Sequence, residues 1–197
     1  VTHAPPTKFL KVLTSEQERA EQRRQVQSGV VSFRGLQLLV PDEQLKPRES
    51  SGAVVDAALA SLSSCQPRPE APNVLDLGVG CGALLLAAMT VLGERASGTG
   101  VDLDEEAVRA CVSNISRLLP PQQAARMGVV LADMGQLDVP DVRPQLFKQG
   151  YDLIVCNPPF RSEEQQVAYD RASGQFGGHT EHSKTLVAGA TGLELYE

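Results

Sequence analysis

The chain has 197 residues, 42% of them hydrophobic, which suits one compact domain with a small extension. A formal net charge of -6, no Trp and only 4% aromatic residues argue against a broad grip on a phosphate backbone, which needs clustered cations, and against a general single-strand binder, which needs stacking platforms. The longest apolar run, Cys81 to Leu92, is too short to span a bilayer, so no membrane partner is expected.

In chain order, Val1 to Thr7 is Pro-rich and reads as extended, and Ser15 to Gln27 as a short charged helix with Gly29 near its end. Two β-like runs follow, Val30 to Phe33 and Leu36 to Val40, hinged as a hairpin at Arg34-Gly35. After a polar connection, Ala53 to Leu62 is a helix, and Gln66 to Pro72 is a Pro-rich linker. From Asn73 the texture alternates. Val74 to Leu77, Thr99 to Asp102, Val129 to Ala132 and Tyr151 to Cys156 read as strands, and Ala83 to Leu92 and Glu105 to Leu119 as helices. In the second helix Val108, Cys111, Ile115 and Leu118 recur at helical spacing, with Asp104 as N-cap and Glu105 and Glu106 at the positive end of the dipole. Tyr151 to Cys156 is nearly all apolar, as a central parallel strand is. Strand-helix alternation with short connections implies an α/β, doubly wound, mostly parallel Rossmann-like sheet. The expected division is an N-terminal helix and hairpin over 1–40 and a larger α/β domain over 41–197. A sheet of this kind needs more strands than the pattern supplies, so the domain is expected to continue past Glu197.

Cys65, Cys81, Cys111 and Cys156 are widely spaced, with no CxxC and no paired His nearby. They read as free thiols in a reducing intracellular compartment, cytoplasmic or mitochondrial, and not as a metal site. His179 and His182 lie in a Gly-rich segment without a third ligand, so a loop is expected there.

Four motifs carry chemistry. Asp76-Leu77-Gly78-Val79-Gly80-Cys81-Gly82 follows a strand and precedes a helix. Such glycines let the backbone turn sharply and approach a ligand, and the helix start offers free N–H groups. The spacing is D-x-G-x-G-x-G, not the G-x-G-x-x-G of dinucleotide binders. An acid at its start suits the amino-acid ammonium of S-adenosyl-L-methionine. Second, Gly100-Val101-Asp102 ends a strand about 20 residues past the glycines, the spacing of an acid that accepts from ribose hydroxyls. Asp102 is preferred because it closes the apolar strand, with Asp104 as the alternative. Third, Asp133 in Leu131-Ala132-Asp133-Met134 can accept from an adenine amino group, or is simply a turn aspartate. Fourth, Asn157-Pro158-Pro159-Phe160 follows the last apolar strand. Two prolines fix the backbone, so the Asn157 side chain and the Pro158 carbonyl can present two acceptors to one NH2 group while Phe160 stacks on it. An electrophilic methyl needs only a weakly nucleophilic nitrogen placed in line with it.

These motifs, in this order, resemble the class I amino-methyltransferases with an N-P-P-[YFW] signature, and more narrowly the HemK-like release-factor glutamine methyltransferases. Phe33 to Val40 looks like that family's hairpin. Leu45-Lys46-Pro47-Arg48-Glu49-Ser50 resembles its L-I-P-R-P-E-T-E segment, and Ala188 to Tyr196 its A-G-x-D-G-L-x-x-Y stretch. The resemblance implies an S-adenosyl-L-methionine-dependent enzyme in which Asp76, Gly78, Gly80, Asp102, Asp133 and Asn157 hold the cofactor and Asn157, Pro158 and Phe160 hold the acceptor nitrogen. The sequence departs from the family where the P-R-P-E-T-E segment loses a proline and its last acid, and where Phe160 replaces the commoner tyrosine.

The leading expectation is glutamine N5-methylation of a translation release factor. The alternative is N-methylation of a base (guanine N2 or adenine N6) in RNA or DNA, for which Arg161 and Arg171 could begin a basic path, although Glu163, Glu164 and Asp170 interleave with them. A non-catalytic scaffold ranks last, because the glycine turn and N-P-P-F are both intact. Some relatives of this group need a small activator subunit.

Overall fold

The computed structural model describes residues 8–11, 28–42, 44–138, 140, 142–146, 150–158, 162, 164–165 and 167–168. Nine β and α segments expected from the sequence occur within them: the hairpin strands β2 (Ser28–Phe33) and β3 (Leu36–Pro41), α1 (Gly52–Ser64), β4 (Asn73–Leu77), α2 (Ala83–Leu92), β5 (Ser97–Asp102), α3 (Glu105–Leu118), β6 (Met127–Leu131) and β7 (Leu153–Cys156). Three short segments are additional: strand β1 (Lys8–Lys11), and helices α4 (Pro121–Ala124) and α5 (Arg143–Leu146). The helix expected over Ser15 to Gln27 lies outside the described residues.

The main sheet runs β1-β6-β5-β4-β7, with β6, β5, β4 and β7 parallel. β1 pairs antiparallel on β6, so part of the 1–40 stretch joins the main sheet. No apolar alternation announces a strand of four residues, which is why the sequence did not show it. The hairpin turns at Arg34 and Gly35, both at positive φ.

Side chains alternate faces along each strand. Val74, Val129 and Leu131 point to one face, where they pack with α2, α3 and the hairpin residues Phe33, Leu38 and Val40. Leu75, Val101 and Val130 point to the other, covered by Val142 and Leu146 beside α5. α3 seats its stripe of Ala107, Val108, Cys111, Val112 and Ile115 on the first face. Its N-cap is Asp104, whose Oδ1 accepts from the Glu106 N–H at 2.7 Å. α2 is apolar all round and correspondingly buried from Ala83 to Met89.

The chain builds β4, steps outward to β5 and β6, then returns to the far side of β4 with β7. That reversal between β4 and β7 is a topological switch point, and in open α/β sheets ligands bind beyond the carboxyl ends of the strands there. Among the described residues only β4 pairs with β7, and Ile154 is 59% exposed.

Candidate active site

The register sets the four motifs side by side. Leu77 pairs with Val101 on one side and Cys156 on the other, and Asp102 pairs with Leu131. Gly78, Asp102, Ala132 and Asn157 therefore leave the sheet at the same end of four adjacent strands. Neighbouring strands lie about 4.8 Å apart, so residues far apart in sequence become neighbours.

The glycine turn is held by backbone groups. Gly78 and Val79 both donate their N–H to the Val101 carbonyl at 2.9 Å, which ties the turn to the end of β5. Gly78 has φ +73°, and a Cβ there would sit 3.2 Å from the Met134 Cε and 4.0 Å from the Pro158 Cα. The position needs glycine both for its conformation and because three loops converge on it. Gly82 is the N-cap of α2 and has no side chain to cap with. Asp76 does this from the neighbouring strand: its Oδ2 accepts from the Leu85 N–H at 3.1 Å. Asp76 is 1% exposed, and its Oδ1 has no hydrogen-bond partner among the described residues. Burial pushes its carboxyl well above the ordinary range, an effect opposed by the Leu85 N–H and reinforced by the charge of Asp102.

Asp102 accepts from the Gly80 N–H at 2.8 Å through Oδ2 and from the Asp104 N–H at 3.0 Å through Oδ1. Burial raises its carboxyl despite these two donors. The Leu103 N–H adds a third donor, and a carboxylate with about four acceptor sites keeps capacity for a hydroxyl. Asp104 is more committed: besides capping α3, its Oδ2 accepts from the Gln44 Nε2 at 2.6 Å. Asp133 caps a short turn, Met134–Gln136, by accepting from the Gly135 N–H at 2.8 Å. This is the turn-aspartate geometry, and it spends one oxygen locally.

Asn157 is exposed directly after β7, and Pro158 is buried beside Gly78. Phe160 lies outside the described residues, as do His179 and His182. Burial pushes the Cys81 thiol up to about 12, and partial desolvation pushes that of Cys156, whose residue is exposed overall, up to about 11. The four cysteines are free.

Sequence reading missed three participants. Leu103, next to Asp102, is 51% exposed and offers an apolar face at the site. Met134 packs toward Gly78. Asn114, fully buried on α3, donates to the Cys81 carbonyl inside the glycine turn at 2.9 Å. A polar residue amid the apolar spacing of α3 was the available signal for Asn114.

The family model for the methyltransferase small domain matches residues 50–173, more than half of the chain. The chain belongs to the methyltransferase small domain family. This bears out the resemblance to HemK-like enzymes drawn from its sequence. The release factor glutamine methyltransferase of Agrobacterium fabrum is 32% identical over 135 residues, covering 67% of this chain and 41% of that protein. That of Rhodospirillum rubrum is 30% identical over 198 residues, covering 94% of this chain and 54% of that protein. A Shewanella tRNA1(Val) (adenine(37)-N6)-methyltransferase is 34% identical over 128 residues, covering 64% of this chain and 47% of that protein. The chain spans about half the length of the curated relatives it matches. Among solved structures, the human methyltransferase 10 domain containing protein aligns over 72% of this chain and 64% of its own at 18% identity, with a TM-score of 0.45.

Methyltransferase small domain proteins of this group depend on S-adenosyl-L-methionine, and the residues present fit that molecule. The orphaned Asp76 Oδ1 is a buried acceptor beside the glycine turn, matched to a cationic ammonium. Asp102 keeps acceptor capacity for ribose hydroxyls, and Leu103 adds an apolar surface next to it.

Proposed function

We propose that the chain transfers a methyl group from S-adenosyl-L-methionine to a planar amide nitrogen, the side chain of a glutamine in a translation release factor. The observation that carries this reading is the pairing of β4 with β7, which sets Asn157 beside Gly78 at the switch point. An acceptor nitrogen held by Asn157 therefore lies against the turn assigned to the cofactor.

In this reading Asp76 holds the cofactor's ammonium, Asp102 its ribose and Asp133 its adenine amino group through the remaining oxygen. The bound cofactor supplies an electrophilic methyl on a sulfonium. The Asn157 side chain and the Pro158 carbonyl accept both hydrogens of one NH2 group, which orients the nitrogen lone pair and frees it from conjugation as charge develops. Phe160 is assigned the stacking contact with the acceptor plane.

The glutamine acceptor rests on two release-factor methyltransferases that align with more of the chain than the adenine enzyme does. The second reading, methylation of adenine N6 in RNA, is supported by the Shewanella relative and by an rRNA N(6)-adenosine-methyltransferase of Caenorhabditis elegans, 31% identical over 91 residues. The deciding experiment offers labelled S-adenosyl-L-methionine to the full-length protein with a release factor and total RNA in parallel. Label on the release factor that vanishes in Asn157→Ala is the expected result. Label on RNA alone overturns the glutamine reading in favour of the base. Cofactor binding without transfer to either would point to a required activator subunit or a scaffold role.

A further inference from the structure

Asn114 lies on α3, and it is fully buried. Its amide joins three main-chain groups from two distant segments. Oδ1 accepts from the Leu39 N–H at 2.8 Å, and Nδ2 donates to the Leu39 carbonyl at 2.8 Å and to the Cys81 carbonyl at 2.9 Å. Toward Leu39 the side chain acts as a rung of strand ladder, taking the N–H and the C=O of one residue of β3. Its remaining amide hydrogen reaches the turn between Gly80 and Gly82. The Arg117 guanidinium also meets Asn114 Oδ1 at 3.3 Å and contacts the Gln37 carbonyl, so the hairpin is gripped at two residues of the same strand.

The Cys81 carbonyl matters because of what flanks it. Gly80 and Gly82 both have positive φ, +54° and +89°, a combination that glycine reaches at little cost but does not hold by itself. One side of the turn is fixed by Asp102, which takes the Gly80 N–H. The other side is held by Asn114 at the Cys81 carbonyl, alongside the Gly82 N–H, which donates to the Val79 carbonyl at 2.9 Å. A glycine-rich turn pinned at its Val79–Gly80 and Cys81–Gly82 peptides arrives preorganised for its ligand, and removing a pin charges the ordering cost to binding.

We propose that Asn114 is the positioning residue for the cofactor turn, setting affinity for S-adenosyl-L-methionine without touching it, and that through Leu39 it makes the β2–β3 hairpin part of the cofactor site's support. This rests on the cofactor reading of the glycine turn given above. The hairpin has a second anchor that does not reach the turn: Arg34 forms a two-pronged pair with Asp56 on α1, at 2.7 and 3.1 Å. That pair supplies the control, since breaking it weakens the tie of the same hairpin to α1, where Arg34 keeps its bond to the Gly52 carbonyl at 3.3 Å, and leaves the Cys81 carbonyl held.

The test compares the wild-type full-length protein with Asn114→Ala, Asn114→Asp and Asp56→Ala. Binding of S-adenosylhomocysteine is measured by calorimetry and steady-state kinetics are measured with the acceptor, at a temperature where circular dichroism shows every variant folded. Asn114→Asp keeps the acceptor for the Leu39 N–H but loses both donated bonds. The expected result is a rise of about tenfold in the cofactor Kd and KM for both Asn114 variants, the effect of one or two lost buried hydrogen bonds. At saturating cofactor kcat stays within about twofold, because the turn is in place once filled. Asp56→Ala is expected to lower Tm with Kd unchanged. Equal Kd values for wild type and both folded Asn114 variants overturn the proposal, as does a Kd rise in Asp56→Ala matching theirs, which would show a general loosening. A wild-type protein with no affinity for S-adenosylhomocysteine overturns the cofactor reading, and this inference with it.

Discussion

The two halves of the sheet's carboxyl end are built differently. Around Gly78, Gly80 and Asp102 nearly every main-chain donor is spoken for: Val101 takes two, Asp102 takes two, Asp76 takes one, and Asn114 grips the turn from behind. Around Asn157 the described residues show a different pattern. Asn157 and Cys156 are exposed, Ile154 stands out beside them, and Pro158 is the buried exception, seated near Gly78. On the proposed reading the difference would track the two ligands: a cofactor is always the same molecule and rewards a preformed, rigid site, whereas a macromolecular acceptor would bring its own surface.

Four experiments sharpen or break this contrast, the largest effect first. Asn157→Ala should cut methyl transfer by roughly 10²–10³, well beyond any rise in the Kd for S-adenosylhomocysteine, as kinetics and calorimetry on one preparation would reveal. A matching loss of binding would mean that the two halves are not separable. Asp102→Ala should weaken cofactor binding by about 10- to 100-fold, the range for hydrogen bonds to a charged group. Gly100→Ala should destabilise the fold, because a Cβ there would lie 2.7 Å from the Val79 Cγ2 at the base of the turn. Overpacking of this kind costs about 1–3 kcal/mol, and thermal unfolding should register it as a lower Tm.

The smallest effect concerns pH. The carboxyl of Asp76 is raised well above its ordinary value of 3.8, so the folded chain favours its protonated form. The stabilising contribution is full below 3.8 and is lost as pH rises through the higher folded value. Unfolding at a series of pH values should show a shallower loss in Asp76→Asn than in wild type. An ammonium ligand reverses the preference, so cofactor binding to wild type should release protons and strengthen as pH rises, a trend that calorimetry in buffers of different ionisation enthalpy can detect. Parallel pH profiles for the two proteins would remove Asp76 from the ammonium site.

Much of the cofactor half was legible because its signals are local. The glycine spacing, the acid closing β5 and the cap at Asp104 each sit within a few residues of the structure they cause, and the boundaries of α2 were read to the residue. What stayed hidden depends on pairing between distant segments. Nothing near Lys8–Lys11 shows that it adds an antiparallel strand to β6. Nothing near Asn114 shows that its amide spans Leu39 and Cys81. Asp76 stands out in the sequence as a candidate ligand, but its role as the cap for α2 does not, since the capping position itself holds glycine. Asp133 reads equally as ligand or turn residue in sequence, and its bond to Gly135 shows that one oxygen serves the turn.

The reversal at β4 also sets an order of assembly. The contact of Asn73 with Ser97, beside the β4–β5 pairing, closes a span of 24 residues, whereas its contact with Asp152, where β7 begins, closes one of 79. Longer loops form later and at greater entropic cost. A chain emerging from the ribosome exposes Gly78 and Asp102 well before Asn157 exists. The strand end that carries Gly78 and Asp102 can thus pair before the one that carries Asn157 is made, so the switch point is completed last, from its β7 side.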